Sequence, residues 1–368
     1  MYDCFAACAP GLEAALALEL QELGLYKVKG LLRASGGIGF AAGRKDLYAA
    51  DLRLRTADRV LVRLGEFPAR AFAELRRKAA GLPWGRFLKP GTPVGLRVAS
   101  EDSKLYHESA VAERVAGAIA DSLGEQPRLS KEEDAQLVDV RLDADLCRIS
   151  LDSSGASLHR RGYRLAAAKA PLRETLAAGM VLASGWDRRS PLLDPFCGSG
   201  TIAIEAALLA AGLAPGRGRR FAFMDWPDFD SSAWQALCAE PVRAEGAPRI
   251  LASDRDAGAI QAARENAERA GVSGLIEFSC RALSAVEPPG GPGWVVTNPP
   301  YGVRLSQGRD LRDLYAQFGR ILKLKCPDWS VSVLRGGGGP SSAMGLRLDR
   351  SIPMLNGGLP VRLECGKV

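Results

Sequence analysis

Histidine is almost absent from this chain, and its cysteines are scattered. The 368 residues include only His107 and His159, and the eight cysteines show no metal-ligand spacing. We therefore expect no metal site, and isolated cysteines of this kind predict reduced thiols and a cytoplasmic location. The chain also lacks an uninterrupted apolar run long enough to span a bilayer, and it lacks a basic N-terminal region before an apolar core. We expect no signal peptide and no membrane span.

Charge of one sign is not concentrated in any tail. The chain has 49 Lys and Arg against 42 Asp and Glu, a formal net charge of +7, and the excess is spread over both halves. Mild basicity favours a nucleic-acid partner over an acidic protein, although only weakly. The length predicts two or three domains, and we expect a monomer.

Strand and helix signals divide the chain into segments. Residues 1–65 alternate short strands and helices, as a small α+β sandwich does, and residues 66–155 form a second α+β region. Residues 156–169 are a predicted linker. Residues 170–368 alternate strand and helix as a parallel sheet requires, end in a candidate antiparallel hairpin, and carry an insertion near 212–248.

Basic residues in the middle segments are candidates for RNA contacts. In the linker, arginines surround Tyr163, and such side chains can bind phosphates and stack on bases. A solvated scaffold and a solvated hinge are the alternatives. The candidates are Arg76, Arg77, Lys78, Lys104, Arg160, Arg161 and Arg164.

The most informative motif is D-P-F-C-G-S-G-T, residues 194–201. It follows a short apolar strand and precedes an apolar helix, and its two glycines permit a tight turn that a ligand can approach. The Lys-Ser/Thr of a Walker loop and the third glycine of G-x-G-x-x-G are both missing. An acid at the strand end repels a pyrophosphate but suits a cationic amine, which S-adenosylmethionine carries. The motif predicts that cofactor, and a βα turn with glycines for packing is the alternative.

A second acid, Asp254, ends the next strand. Such an acid accepts hydrogen bonds from ribose hydroxyls, and we place Asp254 and its neighbour Arg255 in the cofactor site. The alternative is that Asp254 caps the helix that starts near Ala257; both roles can coexist.

The motif Asn298-Pro299-Pro300-Tyr301 ends the fourth strand. Two prolines remove backbone donors and leave carbonyl acceptors, so the Asn298 side-chain oxygen and the Pro299 carbonyl can accept both hydrogens of an exocyclic amine. Tyr301 offers a flat face for a base. The base must leave its stack to reach such a pocket. A plain loop is the alternative.

The two motifs resemble the class I S-adenosylmethionine-dependent amino methyltransferases of nucleic acids. Five segments extend the resemblance over most of the chain: F-A-A-C-A-P-G-L-E (5–13), L-H-R-R-G-Y-R (158–164), A-P-L-R-E-T-L-A-A (170–178), residues 194–207 and N-P-P-Y-G-V-R-L (298–305). All of them are similar to the bacterial THUMP-domain RNA methyltransferases. The nearest subgroup resembles the enzyme that makes N2-methylguanosine in 23S ribosomal RNA, and an older name for such proteins is N6-adenine-specific DNA methylase.

The resemblance implies a ferredoxin-like segment, an RNA-binding THUMP domain and a C-terminal Rossmann-like methyltransferase domain with a mainly parallel seven-stranded sheet. It implies that the base is held by the N-P-P-Y motif. The cofactor residues that it implies, together with Cys197 of the same loop, are Thr175, Asp194, Phe196, Gly198, Gly200, Thr201 and Asp254. One departure from the family pattern concerns the adenine of the cofactor. An acidic residue after the third strand commonly contacts its amine, but C-R-A-L, residues 280–283, offers none. Either a backbone group replaces the acid or the affinity for the cofactor is lower.

The leading hypothesis is therefore an S-adenosylmethionine-dependent RNA methyltransferase. Its expected target is the exocyclic N2 amine of a guanine in 23S ribosomal RNA, free or in a large-subunit assembly intermediate. The alternatives are an N6-adenine methyltransferase on DNA or RNA, and a non-catalytic RNA-binding or ribosome-assembly protein that keeps the fold.

Overall fold

Two β-sheets, one in each half of the chain, organise the computed structural model. The structure describes residues 1–25, 33–34, 36–165, 172–241, 244, 248–301, 311–336 and 341–368. Residues 166–169 of the predicted linker, the helix-opening residues 170–171, residues 242–243 and 245–247 of the insertion, and residues 302–305 of the last motif lie outside this set.

The N-terminal sheet has eight strands in the order β2-β3-β1-β4-β8-β7-β5-β6. They are β1 (Tyr2–Cys8), β2 (Arg33–Ala34), β3 (Gly37–Ala42), β4 (Ala57–Pro68), β5 (Pro93–Glu101), β6 (Arg128–Leu129), β7 (Gln136–Asp143) and β8 (Leu146–Asp152). Among the described residues of this half, the α-helices are α1 (Glu13–Glu22), α2 (Arg44–Arg53), α3 (Phe72–Ala80) and α4 (Glu108–Leu123). Strand β4 pairs with both β1 and β8, so one sheet runs through the first two predicted segments and residue 65 falls inside a strand.

The C-terminal sheet has seven strands in the order β11-β10-β9-β12-β13-β15-β14. They are β9 (Leu192–Asp194), β10 (Ile250–Asp254), β11 (Ile276–Cys280), β12 (Trp294–Thr297), β13 (Ser330–Gly336), β14 (Arg347–Asn356) and β15 (Leu359–Lys367). The described helices are α5 (Glu174–Ala183), α6 (Thr201–Ala210), α7 (Ser231–Cys238), α8 (Ala257–Arg269) and α9 (Leu311–Lys325). The first five strands are parallel, and β14 and β15 form an antiparallel hairpin, which confirms the predicted fold class.

Both faces of the C-terminal sheet are covered, as a parallel sheet requires. Side chains alternate between the faces: Leu192 lies in one apolar cluster, and Leu193 lies in the other. Every residue of α6 is buried, which explains why this helix is apolar all round. The N-terminus of α6 is thereby held rigidly at the end of β9.

The insertion packs against the N-terminal half. The ring of Phe223 stacks on Tyr48 with centroids 4.4 Å apart, and the Trp226 indole donates to Gln136 Oε1 at 2.7 Å. The two halves are therefore joined by aromatic packing as well as by the chain. Among the described residues, no helix has both the length and the apolar character that a membrane span needs.

Candidate active site at the carboxyl edge of the second sheet

Three adjacent parallel strands bring the predicted site residues together. In the register, Leu193 of β9 lies beside Leu251 of β10 and Val295 of β12. The strands end a few residues later, at Asp194, Asp254 and Thr297 respectively. Because parallel strands end at the same edge, the glycine-rich loop, the second acid and the N-P-P-Y motif are neighbours.

The glycine-rich loop is fixed by hydrogen bonds from its own backbone. The Cys197 N–H donates to the Ser253 carbonyl at 3.0 Å, and the Gly198 N–H donates to Asp254 Oδ2 at 3.0 Å. The Asn266 side chain, from α8, donates to the Ser199 carbonyl at 3.1 Å. The conformation of the loop is therefore held by β10 and α8.

The two glycines serve different purposes. Both have left-handed backbone angles, with φ +52° at Gly198 and +84° at Gly200. A Cβ on Gly200 would lie 3.0 Å from the Cβ of Ala263, so this glycine lets α6 approach α8. A Cβ on Gly198 would meet no described atom within 4 Å, so Gly198 leaves the space above the loop open for a ligand.

Asp194 is a buried carboxylate with one unsatisfied oxygen. It is 1% exposed; its Oδ1 accepts from the Thr297 hydroxyl at 2.6 Å and from the Phe196 N–H at 3.3 Å. Its Oδ2 is buried and has no hydrogen-bond partner among the described residues. Burial, together with the charge of Asp254, raises the pKa of Asp194 to about 7. A cationic ligand group would satisfy the free oxygen, so the site fits the amine of S-adenosylmethionine.

Asp254 organises the loop and does not cap the helix. Besides Gly198, it accepts from the Asp256 N–H at 3.0 Å through Oδ1. The cap of α8 is Asp256, whose Oδ1 accepts from the N–H groups of Gly258 and Ala259. The capping alternative for Asp254 is thus wrong, while each of its carboxylate oxygens keeps a lone pair for a ribose hydroxyl. The adjacent Arg255 is exposed.

The N-P-P-Y motif presents a buried acceptor. Asn298 Oδ1 is shielded from solvent, and no described group donates to it. The preceding residue, Thr297, donates to Asp194, so a side-chain hydrogen bond links the end of β12 to the first motif. On the far side of the motif, the Tyr315 hydroxyl of α9 lies 3.5 Å from the Pro300 carbonyl.

Tyr301 is only 6% exposed. A Cβ on Gly336 would lie 2.5 Å from Tyr301 Cδ2, so the ring packs directly on the backbone of β13. Its hydroxyl accepts from Asn356 Nδ2 at 2.8 Å. The part of the ring that lies on Gly336 is therefore not available to a base, and any stacking must use another part of it.

Three other predicted cofactor residues, Phe196, Cys197 and Thr201, lie in the loop or the helix that follows β9. Thr201 is the first residue of α6, and Phe196 packs edge-on against Phe318 of α9 with centroids 5.3 Å apart. Cys197 is buried, and burial raises the pKa of its thiol. Thr175 is also buried, and its hydroxyl donates to Asp58 of the N-terminal half at 2.7 Å.

The predicted RNA contact of Arg161 is wrong. Its side chain is buried between the two halves, where it donates to the carbonyls of Leu158 and Arg55 and lies 3.6 Å from Glu205. Arg161 therefore joins the N-terminal half to α6. Arg164 has a similar position: only 12% of its side chain is exposed, and it is paired with Glu174.

The other basic candidates lie at the surface. Arg77 and Lys104 are exposed, whereas three are engaged in ion pairs: Arg76 with Asp121, Lys78 with Glu74 and Arg160 with Glu133. Their contact with RNA stays a prediction.

Sequence reasoning missed Thr297, Gly336 and Asn356. Thr297 carried a signal, since it is the one polar residue in the apolar strand W-V-V-T. Gly336 and Asn356 reach the motif only through the packing of the sheet, and no spacing links them to Tyr301.

Comparisons with known proteins identify the family of the chain. Residues 161–364 match the family model of the RMKL-like methyltransferase domain, and residues 3–61 match that of the RlmL ferredoxin-like domain. The chain belongs to the RMKL-like methyltransferase family. The predicted methyltransferase domain and ferredoxin-like segment are thus confirmed.

Two curated relatives match nearly the whole length of the chain. It is 36% identical to slr0064 of Synechocystis sp., a candidate RNA methyltransferase, over 98% of this chain and 95% of the relative. It is 38% identical to the ribosomal RNA large subunit methyltransferase K/L of Methylococcus capsulatus, over 98% of this chain. The chain spans 50% of the length of this second relative.

Solved structures share the fold. SMU.472, a candidate methyltransferase solved in complex with SAH, is 29% identical with a TM-score of 0.86, over 99% of this chain and 97% of that one. A Listeria monocytogenes protein, named as a predicted N6-adenine-specific DNA methylase, is 32% identical and has the same TM-score. The match covers 99% of this chain and 95% of that one. SAH is the product that S-adenosylmethionine leaves after methyl transfer. The family and the SAH-bound neighbour confirm the predicted S-adenosylmethionine-dependent methyltransferase.

Proposed function

We propose that this chain methylates the exocyclic N2 amine of a guanine in large-subunit ribosomal RNA. The observation that carries the proposal is the pair of unsatisfied buried oxygens, Asp194 Oδ2 and Asn298 Oδ1, at neighbouring strand ends joined by the Thr297 hydroxyl. One oxygen suits a cationic donor, and the other suits an N–H group of an acceptor base.

Each residue has a distinct task in this proposal. S-adenosylmethionine, when bound, supplies an electrophilic methyl group. Asp194 holds the cationic amine of the cofactor, and Asp254 accepts from its ribose while keeping the glycine-rich loop in shape. Asn298 and the Pro299 carbonyl accept both amine hydrogens of the base, which polarises a nitrogen whose lone pair is otherwise conjugated into the ring.

RNA is the substrate class favoured by the names of both curated relatives, which refer to RNA and to large-subunit ribosomal RNA. The N-terminal half is the natural docking module. We propose that residues 66–155 act as a THUMP domain, with residues 1–65 as the ferredoxin-like segment and residues 156–169 as the connection. A cytoplasmic, monomeric enzyme is consistent with such a substrate.

The second candidate is N6 methylation of adenine. The name of the Listeria monocytogenes protein favours it, and N-P-P-Y acceptors suit either aromatic amine. The two functions give different methylated nucleosides, so an experiment can distinguish them.

The test uses the full chain with S-adenosylmethionine labelled in its methyl group. The substrates are a protein-free 23S rRNA transcript and a duplex DNA, followed by nucleoside mass spectrometry. The proposal predicts N2-methylguanosine in the RNA; N6-methyladenosine, or label in DNA alone, would overturn it. Calorimetry with S-adenosylmethionine tests the non-catalytic alternative, which predicts no binding.

A further inference from the structure

The β14–β15 hairpin at the edge of the C-terminal sheet contacts the N-P-P-Y motif. Asn356, the last residue of β14, donates from Nδ2 to the Tyr301 hydroxyl at 2.8 Å. Both side chains are buried, at 7% and 6% exposure. A hydrogen bond closed off from water in this way fixes the direction of the ring axis.

The hairpin turn does not explain Asn356. Asparagine before glycine is often used in tight turns because it tolerates left-handed backbone angles. Here Gly357 and Gly358 take those angles, with φ +59° and +84°, while Asn356 stays in the strand, paired with Leu359. The side-chain amide is therefore free for its long-range contact with Tyr301.

A second contact fixes the ring itself. Gly336, in β13, lies so close to the ring that a Cβ would fall 2.5 Å from Tyr301 Cδ2. The missing side chain at Gly336 and the amide of Asn356 constrain the ring at two separate points. Neither residue touches the glycine-rich loop in any described contact.

We propose that Asn356 is a positioning residue for the N-P-P-Y motif: it fixes the axis of the Tyr301 ring, whose face packs on Gly336, and thereby the orientation of the target base. This rests on the proposed function, because it assumes that the motif holds the base. An amine held slightly out of line with the methyl donor still binds but reacts more slowly, since misplacement of about 1 Å can cost about a hundredfold in rate.

The experiment is a double-mutant cycle in the full chain. Asn356→Leu removes the donor at similar size, Tyr301→Phe removes its acceptor, and the double variant removes both. Leu355→Ser is the matched control, because Leu355 is the exposed neighbour of Asn356 in the same hairpin. The kcat and KM for methylation of the 23S rRNA transcript are measured together with RNA affinity in the absence of cofactor.

For Asn356→Leu we expect kcat at least about tenfold lower, with KM and RNA affinity within about threefold of wild type. Tyr301→Phe should act similarly, and the double variant should be no slower than the worse single one. With [13Cζ]tyrosine, assigned by Tyr301→Phe, the Tyr301 resonance should move in Asn356→Leu and stay in place in Leu355→Ser. This readout does not depend on turnover.

Failure of the positioning role and failure of the proposed function give different results. If the wild-type chain methylates the RNA and Asn356→Leu keeps its kcat, or if the two single effects multiply, the positioning role is overturned while the proposed function stands. If the wild-type chain transfers no methyl group to RNA, the proposed function fails and this inference fails with it. Gly336→Ala provides an independent check, since displacing the ring should lower kcat without Asn356 being changed.

Discussion

The protonation of Asp194 should control the affinity of the cofactor. The pKa of this carboxyl is raised to about 7 because it is buried beside Asp254, and its Oδ2 lacks a partner among the described residues. A cationic amine near Oδ2 favours the ionised form. Binding below pH 7 must therefore release the proton that Asp194 holds.

The size of the pH effect follows from the difference between the ordinary pKa of an aspartate and the raised pKa of Asp194. The ordinary aspartate value is about 3.9, so the shift is about three units, or about 4 kcal/mol of unfavourable ionisation that a cationic partner can recover. Below pH 7, affinity should weaken about tenfold per pH unit. Because an α-amino group loses its own proton near pH 8, affinity should pass through a maximum between about pH 7 and pH 8.

The raised pKa of Asp194 also predicts how the stability of the cofactor-free protein depends on pH. A carboxyl group whose pKa is raised on folding binds more protons in the folded state, so stability falls as pH rises from about 4 to about 7. Asp194→Asn removes this cost. The variant should therefore have a higher free energy of unfolding than the wild-type chain, and this difference should be larger at pH 8 than at pH 5 by about 3 kcal/mol.

Calorimetric titration with S-adenosylmethionine at pH 6 to 8.5, in buffers of different ionisation enthalpy, measures both affinity and proton release. Asp194→Asn should lose the acidic limb of the profile and bind weakly throughout. Asp256→Asn is the matched control, since Asp256 only caps α8 and asparagine caps equally well. A wild-type affinity that is flat from pH 6 to 7.5, without proton release, would show that Asp194 is not the group that controls cofactor binding.

Three further substitutions test the base-holding motif, the glycine-rich loop and the contact between the two halves. Asn298→Ala should leave cofactor affinity within about twofold but lower kcat at least about tenfold, as steady-state kinetics would show; unchanged turnover would contradict the amine-polarising role. Gly200→Ala should destabilise the fold by about 1–2 kcal/mol in urea unfolding, because φ is +84° there; full stability would argue against this loop conformation. Arg161→Ala should cost about 3 kcal/mol because it removes the ion-pair partner of the buried Glu205 and the donor to two buried carbonyls, while exposed Arg160→Ala should cost under about 0.5 kcal/mol; equal costs would argue against the buried pair.

Much of the fold was open to prediction because its signals are local. Apolar runs that end on Asp194 and Asp254 predict buried parallel strands, and a helix that is apolar on all sides predicts burial on all sides, as α6 shows. The prediction failed where the local composition indicates one environment and contacts between distant segments impose another. Arg161 has the composition of an RNA contact, yet the closure of the two halves buries it.

The chemistry at each strand end follows from the residues that stand there: two glycines that allow the loop, an acid that suits a cation, and a proline-stiffened turn that exposes acceptors. Those properties depend on residues within a few positions of one another. Three features depend on packing between distant segments: Thr297 joins the two motifs, burial raises the pKa of Asp194 to about 7, and Gly336 and Asn356 hold Tyr301. Sheet order brings together strands that are far apart in the chain, and burial depends on what the rest of the molecule packs around a residue.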